Sequence, residues 1–131
     1  MRLRILGCSG GIGGSLRTTS MLLDNDILID AGTGVGDLSI DELSRIDHVF
    51  LTHSHLDHVT SIPFMVDTVG WMRDKPLVLH ATQPTMEILR DHLFNWKLWP
   101  DFTRIPTPEK PFMEYRTVTL GVPVELNDRK I

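Results

Sequence analysis

The chain is 131 residues long, 41% hydrophobic and 23% charged, with a formal net charge of −4. That length suits one domain with a core of useful size, and the composition excludes a disordered polyelectrolyte or a low-complexity segment. The acidic balance argues against a chain whose main task is to coat nucleic acid or acidic lipid, while leaving room for a local basic patch around one phosphate.

Cys8 is the only cysteine, so no intrachain disulfide can form and a reducing, cytoplasmic compartment is expected. No apolar run approaches the roughly 20 residues of a membrane span, and the apolar stretch after Met1 is too short for a signal peptide. No membrane partner is expected.

In chain order, Arg2 to Leu6 alternates polar and apolar residues as a strand does. Gly7 to Ser15 then holds five glycines. This stretch is either a flexible hairpin turn or a cradle of backbone N–H groups for a phosphate. Thr19 to Leu23 and Ile27 to Ile29 are β-type runs joined by Asp24-Asn25-Asp26, which predicts a hairpin. Asp41 to Ser44 predicts a short helix with Ser39 as its cap.

Asp47 to Thr52, with Val49-Phe50-Leu51, suits a buried strand. Val59, Ile62, Val66 and Val69 share one helical face, and Pro63 is tolerated only in a first turn, so a helix is expected to start near Ser61. Leu77 to Leu79 is a short strand. Thr82 to Trp96 predicts a second helix with Met86, Leu89, Leu93 and Trp96 on one face. The Pro106-Thr107-Pro108 run marks a loop, and Phe112 to Val118 and Val122 to Leu126 read as strands. The order predicts an α/β (α+β) chain with hairpins rather than regular β-α-β alternation.

The chemistry concentrates in His53-Ser54-His55-Leu56-Asp57-His58, where three imidazoles and a carboxylate lie within six residues directly after the expected buried strand. Histidine titrates near neutrality and ligates metals, so such density is costly to hold without a metal or counter-charge. In extended backbone His53 and His55 point to one side, and a following helical turn brings Asp57 and His58 to a second point nearby. A structural zinc is disfavoured because no cysteine is near. His92, in a helix, is either a satisfied helix histidine or a phosphate contact. Trp99, with Trp96 and Phe102, is either aromatic core beneath the Pro-rich loop or a stacking surface for a purine.

Thr52 to His58 resembles the metal-binding motif of the metallo-β-lactamase superfamily of hydrolases. Leu28-Ile29-Asp30-Ala31-Gly32 is similar to that superfamily's strand ending in Asp-x-Gly, and Leu6 to Ser15 resembles its first hairpin turn. More narrowly, His53-x-His55-Leu56-Asp57-His58-Val59-x-Ser61 resembles the signature of class II cyclic-nucleotide phosphodiesterases. Leu89 to Asn95 with Trp99-Pro100 is also similar to that family. The tRNA-processing nuclease branch usually carries Gly where Leu56 stands.

The resemblance implies a four-layer α/β/β/α sandwich of two related halves. Residues 1–131 would be the N-terminal half of a single domain, truncated at its C-terminal end. It implies two divalent metal ions, zinc first with manganese or iron as substitutes. His53 and His55 would hold one ion, and Asp57 and His58 the other. Asp57 would also orient or shuttle a proton as the catalytic residue, Asp30 and Thr52 would orient the ligands from behind, and His92 and Trp99 would contact substrate.

The family's second half brings a further His, a bridging Asp and a last His, and no histidine follows His92 here. The expected activity is hydrolysis of a 3',5'-cyclic nucleotide, a small-molecule phosphodiester, by a hydroxide held between two ions. The alternatives are a related hydrolase acting on a nucleic acid phosphodiester, thioester or lactone, or an incomplete half-domain serving as an interaction module. A homo-oligomer or a separate C-terminal half is the expected protein partner.

Overall fold

The computed structural model describes all residues from Met1 to Ile131. Strands β1 (Leu3–Gly7), β2 (Ser20–Leu23) and β3 (Ile27–Ala31) form an antiparallel meander. Helix α1 (Ile40–Ser44) leads to β4 (His48–Phe50), and α2 (Leu56–Val59) and α3 (Ser61–Val69) lead to β5 (Leu77–Ala81). Helix α4 (Gln83–His92) follows, then the short β6 (Pro106–Thr107) and β7 (Lys110–Pro111), β8 (Met113–Thr117), β9 (Glu125–Leu126) and β10 (Arg129–Lys130).

One six-stranded sheet, ordered β1-β2-β3-β4-β5-β8, carries the fold. Its last four strands are mutually parallel, with helices in each crossover. The expected α/β class is therefore present, with more parallel sheet than the hairpin-rich sequence suggests.

Side-chain alternation divides the sheet into two unlike faces. Leu22, Leu28, Val49, Leu79, Ala81 and Met113 point toward the helices and form one core with Leu43, Ile62, Met65, Val66, Met86 and Leu89. On the opposite face Leu3 and Ile5 stay 52% and 54% exposed. There the β9–β10 hairpin covers only one corner, packing Leu126 on Leu23 and Ile27. Arg129 ties that hairpin down through bonds of 2.6 and 2.7 Å to Asp26 and 3.0 Å to Asp24.

Helix α1 forms as expected, and two later elements differ from expectation. Helix α1 begins behind Ser39, whose side chain accepts from the Glu42 N–H while Glu42 accepts from the Ser39 N–H, a complete capping box. Helix α4 ends at His92 rather than Trp96. The Asn95 side chain accepts from the N–H groups of Lys97 and Leu98 and turns the chain, and Trp96 adopts a φ of +67° and lies exposed rather than on the buried face. The run from Val122 to Leu126 forms a strand only over Glu125–Leu126, with Val124 bonded to Ile131 beside it, outside the main sheet. No helix is long and apolar enough to cross a membrane.

The open face also buries a histidine pair. His48 Nδ1 lies 3.0 Å from His80 Nε2, and the His80 ring stacks on Phe50 with centroids 4.2 Å apart. His80 is fully buried and its Nδ1 has no partner. Burial, the neighbouring His48 and the Arg116 guanidinium hold the His80 pKa down at about 4, and burial lowers that of His48.

Both groups are thus depressed below their unfolded value near 6.5. The stability they contribute is complete above that value and falls as pH drops toward 4, because the unfolded chain then binds protons the fold rejects. Urea titrations between pH 7 and 5 are expected to show this loss, at most about 1.4 kcal/mol per pH unit for each group. His80→Leu is expected to flatten the profile, and an unchanged slope would remove His80 from the account.

Candidate metal centre

The site forms where β3 and β4 end side by side, at the carboxyl edge of the parallel sheet, where open α/β sheets place their ligand crevices. Ile29 pairs with Phe50, so the segment after β4 runs past Asp30. Asp30 itself has a φ of +56°, a conformation Asp tolerates better than most residues. The twist aims its carboxylate at the following loop rather than along the strand face.

Asp30 is 1% exposed, and a buried carboxylate must be met by donors. Three serve it. The Thr52 N–H donates to Oδ1 at 2.9 Å, while the Thr52 hydroxyl and His58 Nδ1 reach Oδ2 at 2.8 and 2.7 Å. The Thr52 hydroxyl also lies 2.9 Å from His53 Nδ1.

The proton inventory follows from these contacts. A carboxylate only accepts, so His58 carries its proton on Nδ1 and the Thr52 hydroxyl spends its own on Asp30. The Thr52 oxygen can then only accept from His53, whose proton is also on Nδ1. One carboxylate thereby fixes the tautomers of two imidazoles and leaves the Nε2 lone pair of each free to bind a cation. Ligating histidines in metal sites are held in this way by outer carboxylates.

The free donors are close together. The His53 ring lies 4.6 Å from that of His55 and 4.2 Å from that of His58, centroid to centroid. His58 Nε2 is 3.4 Å from Asp57 Oδ2. Two ligands on a tetrahedral zinc, with bonds near 2.0–2.2 Å, stand about 3.3 Å apart, so this pair has the separation of co-ligands. No group of three or more His, Cys, Asp or Glu donors surrounds one point. The donor types gathered here, three imidazoles and a carboxylate, are ones a divalent ion accepts.

The structure brings together Asp30, Thr52, His53, His55, Asp57 and His58. It leaves His92 and Trp99 without a hydrogen bond or ring contact to the cluster. His92 ends α4 and is exposed, while Trp99 packs edge-on against Phe64 of α3 with centroids 5.3 Å apart. Phe102 is core, 2% exposed.

Sequence reasoning missed the frame around the cluster. Ser61 donates to the Gly32 carbonyl at 2.7 Å, and Thr18 and Thr33 bond reciprocally, side chain to backbone N–H, at 2.8 and 2.9 Å. Ser61 carried a signal, its place in the motif, but a threonine pair fifteen residues apart carries no local one.

Residues 25–130 match the family described as Beta-lactamase superfamily domain. A probable 3',5'-cyclic-nucleotide phosphodiesterase of Yersinia pestis is 36% identical over 58 residues, covering 44% of this chain and 16% of that protein. A Ribonuclease Z of Halorubrum lacusprofundi is 35% identical over 98 residues, covering 70% and 32%. Among solved structures, unliganded yeast PDE1 superposes with a TM-score of 0.73 at 16% identity over 95% of this chain and 52% of its own. The metallo-β-lactamase fold protein YhfI of Bacillus subtilis gives 0.64 at 16% identity, over 95% and 49%.

The chain thus spans about half the length of these solved structures and a third or less of these curated relatives. With a family match over most of its length and a metallo-β-lactamase fold, the chain belongs to the beta-lactamase superfamily.

Proposed function

We propose that the protein of which these residues form the N-terminal half-domain is a metal-dependent phosphodiesterase acting on 3',5'-cyclic nucleotides, with two divalent ions held in part by His53, His55, Asp57 and His58. The observation that carries the proposal is the Asp30 carboxylate, which sets both His53 and His58 with Nε2 free while Asp57 stands at co-ligand distance from His58. The cyclic-nucleotide substrate is supported by relatives of that name in Yersinia pestis and Candida albicans, and by the Leu56 and Ser61 positions of the motif.

Bound there, divalent ions supply an activated water at neutral pH and positive charge for the phosphoryl oxygens. This chain's residues do the rest of what is proposed here. Asp30 and Thr52 place the donated proton of both imidazoles on Nδ1 and fix the rings in orientation. Asp57, half-buried and free of hydrogen bonds, presents a carboxylate 3.4 Å from His58 Nε2 that can both ligate and receive a proton from the attacking water. Ring opening exchanges one phosphoryl–oxygen ester bond for a bond to the water oxygen, and the departing alkoxide takes up a proton.

A second phosphodiester substrate, RNA, is favoured by the extent of the Ribonuclease Z match, 70% of the chain. Cyclic AMP, bis-p-nitrophenyl phosphate and an RNA assayed in parallel separate the two. Turnover of the cyclic nucleotide but not of RNA is expected from the protein as its gene encodes it.

In that protein, His55→Ala is expected to abolish hydrolysis of cyclic AMP with little change in thermal midpoint, because His55 is exposed and anchors no packing. Retained turnover would sink the metal-assisted mechanism. Asp30→Asn is expected to weaken zinc binding by roughly 10- to 100-fold in a chelator competition titration, the usual cost of losing an outer-sphere partner. Unaltered affinity would show that the tautomers are set by something else.

A further inference from the structure

Within the cluster, Asp57 is the least supported donor. His53 and His58 are both anchored to the Asp30–Thr52 network, but the Asp57 carboxylate makes no hydrogen bond and only faces His58 Nε2 across 3.4 Å. Its position is therefore inherited from its own backbone. That backbone is α2, a single turn of four residues whose N-cap residue, His55, gives it no side-chain hydrogen bond. One turn is too short to hold itself, since the first turn fixes several residues for one bond.

Beyond the His58–Asp30 bond and the buried Val59, what holds α2 lies at its end and beneath it. The Ser61 hydroxyl, just past the α2–α3 junction, donates to the Gly32 carbonyl at 2.7 Å. Gly32 is itself pinned, its N–H donating to the Thr19 carbonyl at 2.9 Å and its neighbour Thr33 bonding reciprocally with the buried Thr18. A Cβ on Gly32 would collide with the Thr18 hydroxyl and with the Asp57 carbonyl, so the Asp57 backbone rests directly on this turn.

We propose that Ser61 is a positioning residue for Asp57. By latching the α2–α3 junction to the Gly32 carbonyl, it seats the Asp57 backbone on the 30–33 turn and so sets the Asp57–His58 half-site against the His53–His55 half-site. The role presupposes the two-ion site proposed above. Ser61 touches no reacting atom. It acts first on the half-site that contains Asp57, because His53 is placed by the end of β4 and by its contact with Thr52, whereas Asp57 lies within the latched turn, of which His55 is the N-cap residue.

The test compares wild type, Ser61→Ala and Ser61→Thr in the protein as its gene encodes it, with zinc alone as the probe. Stepwise titration followed by native mass spectrometry is expected to show, for Ser61→Ala, a first ion bound within about twofold of wild type and a second bound roughly tenfold or more weakly. Hydrogen exchange on the metal-free protein is expected to quicken at residues 56–60 in the same variant, and Ser61→Thr, which keeps the hydroxyl, should restore both. Equal weakening of the two ions together with a lowered thermal midpoint would reduce Ser61 to general structure and overturn the proposal, as would wild-type binding by Ser61→Ala. If wild type itself binds no second ion, the two-ion reading fails and this role falls with it, an outcome distinct from a wild type that binds two ions without needing Ser61.

Discussion

The site depends on one buried carboxylate. Asp30 sits in a left-handed backbone conformation that costs about 1–2 kcal/mol for an L-residue, and it is almost wholly removed from water. Three donors offset both penalties, and hydrogen bonds to a charged acceptor contribute about 1.5–3 kcal/mol each. The same bonds fix which nitrogen of His53 and of His58 carries the proton. Stability and chemistry are therefore not separable at this position: the contacts that make a buried charge tolerable also leave two imidazole lone pairs free.

The sheet explains why this can happen at one point. Strands β3 and β4 are parallel neighbours, so both end on the same side, and the turn after one faces the loop after the other. An antiparallel pair would have placed Asp30 and the His-rich segment at opposite ends. The parallel register continues through β5, whose His80 carbonyl accepts from Leu51 and holds the root of the loop. His80 thus serves the site by its backbone while its side chain lies among Phe50 and His48 on the open face. That face carries exposed Leu3 and Ile5 and a single hairpin over one corner.

Much of this was legible in the residues. The His53 to His58 cluster announced itself by density, the Asp30 strand end by its Asp-x-Gly, and the α3 start by Pro63 in a first turn. Each is a local signal in which a few neighbouring residues carry the physics. What escaped was set over longer range. Helix α4 stops early because Asn95 recruits two backbone N–H groups, which beats the helical periodicity of Leu93 and Trp96. The parallel half of the sheet was obscured because its helical crossovers begin with short or irregular turns. The Thr18–Thr33 clasp joins hydroxyls that nothing in the sequence pairs.

The supports of the four candidate donors form a hierarchy. Asp30 reaches both half-sites, since His53 hangs from it through Thr52 and His58 directly. Ser61 reaches one, through the turn that bears Asp57. His55 has no side-chain bond and depends on its neighbours alone for orientation. Loss of the central carboxylate frees two imidazoles and leaves the loop after β4 short of an acceptor, whereas loss of the latch loosens one end of a single turn that is already half-solvated. A centre built this way divides its rigidity unevenly. His53 and His58 are held by the Asp30–Thr52 network, while His55 and Asp57 take their orientation from the backbone of the turn they share.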